Sequence, residues 1–93
     1  MYLHLGGDVV VNTKDIIGIY DMDNTSIGKA TKKFLADCEK AHIVKTVSYE
    51  IPKSFIVCEN DKKEKSVYIS QLSPITLAKR TEHTLDKIKD ENL

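Results

Sequence analysis

Hydrophobic and polar positions change their period several times along the chain, and each change predicts an element. Met1 to Leu5 reads as a strand broken by Gly6-Gly7, a tight-turn dipeptide, and Val9-Val10-Val11 resumes it, so the pair predicts a hairpin. Asn12-Thr13-Lys14-Asp15 is a turn, and Ile16-Ile17-Gly18-Ile19-Tyr20 is a further β-rich run. The spacing then becomes three or four. Ile27, Ala30, Phe34, Cys38 and Ala41 form one apolar stripe of an amphipathic helix, with Asn24 or Thr25 placed to cap it. After His42 the pattern alternates again, so Ile43 to Tyr49 suits a half-buried strand, broken at Ile51-Pro52-Lys53 because proline lacks the ladder donor. Phe55 to Cys58 and Ser66 to Ile69 flank the charged tip Glu59 to Lys65 as an antiparallel hairpin. Ser73-Pro74 starts a C-terminal helix, serine as cap and proline in the first helical position. Ile75, Ala78, Thr81, Leu85 and Ile88 give that helix a weaker stripe that frays by Asp90. The order β-β-β-α-β-β-β-α predicts a small single α+β domain. Its mostly antiparallel sheet packs on one main amphipathic helix, with a second helix at the C-terminus.

Charge adds a candidate surface. At about 100° per residue, Lys29, Lys33 and Lys40 fall opposite the apolar stripe of the main helix, with Lys32 and Asp37 on its flanks. Such a face is ordinarily a solvated one, and its alternative use is contact with phosphate. Over the 93 residues, 14 basic and 14 acidic side chains cancel. That excludes nucleic-acid binding by bulk charge and leaves a local basic surface, repeated if the chain associates with copies of itself. Tryptophan is absent and aromatics are scarce, so the core is aliphatic, and a domain of this size gains from self-association. Cys38 and Cys58 stand far apart, without CxxC or zinc-ligand spacing, and read as reduced, buried packing residues. The N-terminal stretch lacks a basic leader region, and no apolar run approaches the roughly 20 residues of a membrane span, so the expected location is cytoplasmic.

One motif points toward enzymology. Asp21-Met22-Asp23-Asn24-Thr25 closes a hydrophobic strand with DxDxT, the first motif of haloacid-dehalogenase phosphatases. In such an enzyme Asp21 is the nucleophile, Asp23 the general acid/base and Mg²⁺ the cofactor. That chemistry also needs a parallel, crossover-connected sheet, a downstream lysine and a later acidic pair, and the 68 residues after Thr25 are too few for that sheet. The competing reading makes Asp21, Asp23, Asn24 and Thr25 turn and cap residues. His4, His42 and His83 are scattered and form no triad pattern. No catalytic residue, metal ligand or cofactor is therefore assigned.

In series, LHLGGDVVV, KDIIGIYD, the DNTS helix start, VSYEIPKSFIV and VYISQLSPITLAKR resemble the RemA/RemB family of bacterial extracellular-matrix (biofilm) regulators, in its RemB-like branch. The likeness covers roughly residues 2–80, which suggests a family domain over 1–80 and a C-terminal helical extension over 81–93. The resemblance implies a fold similar to LytTR-type DNA-binding domains. It also implies rings of subunits whose repeated basic surface holds double-stranded DNA in the control of matrix genes. The expected partners are other copies of the chain, duplex DNA and a RemA-like protein. Where the RemA branch carries an arginine-rich turn, this chain has Glu50-Ile51-Pro52-Lys53-Ser54, with Lys53 its only basic residue. Lysine meets phosphate as a point charge without arginine's bidentate fork. The candidate DNA-contacting residues are thus Lys53, Lys29, Lys32 and Lys33. The alternative function is an oligomeric protein–protein scaffold without DNA binding, and a remote one is the Mg²⁺-dependent phosphatase.

Overall fold

The structure is a computed structural model and describes residues 1–22 and 28–81. Strands β1 (Tyr2–Gly6) and β2 (Val9–Asn12) form a separate antiparallel hairpin. Its turn needs positive φ at both Gly6 (122°) and Gly7 (54°), conformations that glycine adopts without a Cβ clash. A 3-10 turn, Thr13–Asp15, leads to β3 (Ile16–Asp21). Helix α1 (Lys29–Lys40), β4 (Val44–Thr46), β5 (Ser54–Glu59) and β6 (Lys65–Ser70) follow, and residues 74–81 are helical (α2). This is the predicted order, and the chain is a small α+β domain.

The main sheet runs β3-β5-β6-β4. β5 is antiparallel to both β3 and β6, while β4 lies parallel to β6. α1 therefore connects two edge strands of the same direction, which is why a helical crossover and not a hairpin joins them. β5 is central, and its side chains are buried from Ser54 to Cys58. Its continuous run Phe55-Ile56-Val57-Cys58 reflects cover on both faces. Phe55 and Val57, with Val67 of β6, meet Cys38 and Leu35 of α1. Ile56 and Cys58 meet Leu3, Leu5 and Val11 of the hairpin and Leu77 of α2. The layers are thus helix, sheet, then hairpin with α2. Burial of each large aliphatic side chain in them contributes about 1.5–3 kcal/mol.

Two helical stripes differ from expectation. Along α1 the inward residues are Leu35 and Cys38, while Ala30, Phe34 and Ala41 are exposed. The helix is turned by about one position, so that Leu35 fills the space over Val57 and Val67 that the pattern assigned to Phe34. In α2 the buried residue is Leu77, at 0% exposure, and Ile75 faces outward. Thr81 joins Leu77 one turn on and donates its hydroxyl to the Leu77 carbonyl. Ile27, Leu85 and Ile88 lie outside the described residues.

The helix ends show how the sequence sets them. Ser73 caps α2, its Oγ accepting from the Thr76 N–H at 3.1 Å, as Ser73-Pro74 predicts. α1 starts at Lys29 with Gly28 as its N-cap and no side-chain cap, later than a cap at Asn24 or Thr25 implies. Asn24 and Thr25 themselves are outside the described residues. At its other end α1 closes in a Schellman arrangement. Ile43 N–H donates to Cys38 O and His42 N–H to Glu39 O, with His42 in the left-handed region at φ 59°. Ile43 then packs in the same cluster as Cys38.

β4 is only three residues long, shorter than the Ile43–Tyr49 strand expected, because the chain leaves β6 early. Val47 N–H still donates to Ile69 O, and Lys53 N–H donates to Ser70 O on the opposite side of β6. Residues 48–52 therefore straddle the end of β6 with both feet bonded to it.

Candidate functional site

The four candidate lysines fall into two groups. Lys29, Lys32 and Lys33 occupy the beginning of α1 and are exposed. Separations of three and four residues place Lys32 and Lys33 beside Lys29 on the helix surface. The first turn holds no acidic residue, and Gly28 offers no side-chain cap. Lys29 thus sits at the positive end of the helix dipole, where a cation costs about 0.3–1 kcal/mol relative to a neutral group, with Lys32 and Lys33 about one turn on. An approaching phosphate reverses that cost, since it meets both the lysines and the dipole.

Lys53 stands elsewhere. Its backbone is held twice, by its N–H to Ser70 O and by its carbonyl accepting from Met22 N–H, both at 2.9 Å. Its exposed side chain lines a 280 Å³ cleft with Asp21, Ser73, Pro74 and Ile75. It immediately precedes β5, on a different element from the helix lysines. Arg80, the chain's only arginine, donates from Nη1 to the His4 carbonyl at 3.0 Å and so ties α2 to the hairpin.

Asp21, the first residue of DxDxT, ends β3, an edge strand paired antiparallel with β5. That is not the parallel, crossover-connected setting of the phosphatase motif. Asp23, Asn24 and Thr25 are outside the described residues. Among the described residues, no three of His, Cys, Asp and Glu gather at metal-binding distance. His4 lies 2.7 Å through Nε2 from the Gly7 carbonyl, and His42 shapes the end of α1, so both have structural surroundings. Cys38 and Cys58 are free and buried, as predicted. Burial pushes the Cys58 thiol up to about 11, with the Asp15 carboxylate adding to the rise. Burial raises Cys38 as well, helped by Asp37 and opposed by Lys65.

The pattern did not foresee two apolar surfaces. Between β3 and α1 runs an open groove of about 370 Å³ lined by Ile17, Tyr20, Ala30, Phe34, Phe55 and Lys65. Tyr20 stacks on Phe55 at 4.9 Å between ring centroids. The second surface is the loop over β6, where Tyr49 is fully exposed and Ile51 is 79% exposed. Its signal was present in the sequence as two large apolar residues inside a segment broken by proline. Among the described residues no helix is long and apolar enough to cross a membrane.

No family model matches the chain. It is 38% identical over 82 residues to extracellular matrix regulatory protein B of Bacillus subtilis (strain 168), a match covering 88% of this chain and 91% of that protein. With that identity running over nearly its whole length, the chain belongs to the RemA/RemB family of extracellular-matrix regulatory proteins.

Proposed function

We propose that this chain is a cytoplasmic homo-oligomeric regulator that binds duplex DNA in the transcriptional control of extracellular-matrix genes. Its likeness to extracellular matrix regulatory protein B of Bacillus subtilis supports the regulatory role. The observation that carries the DNA contact is the cluster of Lys29, Lys32 and Lys33 at a helix start without an acidic residue. Lys53 adds a cation on a backbone pinned between two strands. These contacts are to the phosphate backbone, which positions a protein without reading bases. Neutral net charge leaves one subunit weak, and repetition in an oligomer compensates through effective concentration.

Fluorescence anisotropy of labelled duplex DNA over a salt series, with particle size determined on the same sample, tests this reading. The expected result is an affinity that falls linearly in log salt. An intact oligomer that fails to bind at low salt overturns it and leaves the protein–protein scaffold, the reading that the exposed groove beside Phe34 favours.

A further inference from the structure

We draw no further inference here: the strongest candidate, the apolar groove between β3 and α1 lined by Ile17, Tyr20 and Phe34, carries nothing because nothing in the structure shows what covers it.

Discussion

Ser70 donates its hydroxyl to the carbonyl of Leu5 at 2.6 Å, a bond between residues 65 positions apart, and the same oxygen accepts from the Leu72 N–H. Both side chains are wholly buried, so this one hydroxyl ties the N-terminal hairpin to the main sheet inside the core. Ser54, its partner across the ladder, repeats the device by donating to the Leu72 carbonyl at 2.7 Å. Ser70→Ala leaves the Leu5 carbonyl without this donor away from water and is expected to cost about 1–3 kcal/mol. Urea unfolding checks this, with a lower midpoint expected and an unchanged slope.

His42 holds φ at 59° to close α1, a conformation that a side chain resists and glycine does not. His42→Gly is expected to stabilise the domain by about 0.5–1 kcal/mol, the relief of that strain less the extra freedom glycine gains when unfolded. A rise in Tm measures it, and a fall shows that the imidazole holds the turn by contacts that outweigh the strain.

Lys29→Glu separates stability from DNA contact. A carboxylate in the first turn suits the helix dipole and is expected to add about 0.3–1 kcal/mol to stability. The same change is expected to reduce the slope of log affinity against log salt by at least about one and to weaken binding on every duplex alike. Lys53→Ala is expected to lower the slope similarly while leaving Tm unchanged, because its anchoring bonds are made by the backbone.

Alkaline pH acts through the buried thiols. Folding raises Cys58 from its ordinary 9.0 to about 11, so the unfolded chain loses that proton first as pH rises. Its contribution to stability is whole below pH 9.0 and is lost as pH climbs through about 11. Cys38 is raised too and acts in the same direction. Chemical unfolding between neutral and strongly alkaline pH is expected to show this decline, and Cys58→Ala to flatten it. In the folded protein both thiols are expected to resist alkylation at neutral pH, since thiolate is the nucleophile.

Local chemistry was the legible part of this fold. Gly6-Gly7 marked the hairpin turn, the charged run after Cys58 marked the β5–β6 connection, and Ser73-Pro74 marked the start of α2, because each acts through its own backbone. The facing of the helices was not legible. In α1, residues 30, 34, 38 and 41 and residues 31, 35 and 38 are both three- or four-spaced stripes sharing Cys38. The choice between them is made by what β5 and β6 present, not by the helix. Leu77 escaped notice in the same way, since its environment is supplied by Leu3 and Leu5 more than 70 positions earlier. As for the candidate site, the lysines could be placed on an outer face from spacing alone. That α1 begins at Lys29, which puts that lysine at its positive end, took the structure to show.

The anchoring of the loop over β6 has an evolutionary consequence. Both feet hang on carbonyls of neighbouring β6 residues, so the sheet is complete whatever lies between them. Five residues can then be exchanged, lengthened or recharged at a cost that grows only slowly with loop length. The same scaffold can therefore carry turns of quite different charge. Binding preference can diverge there without the core having to change.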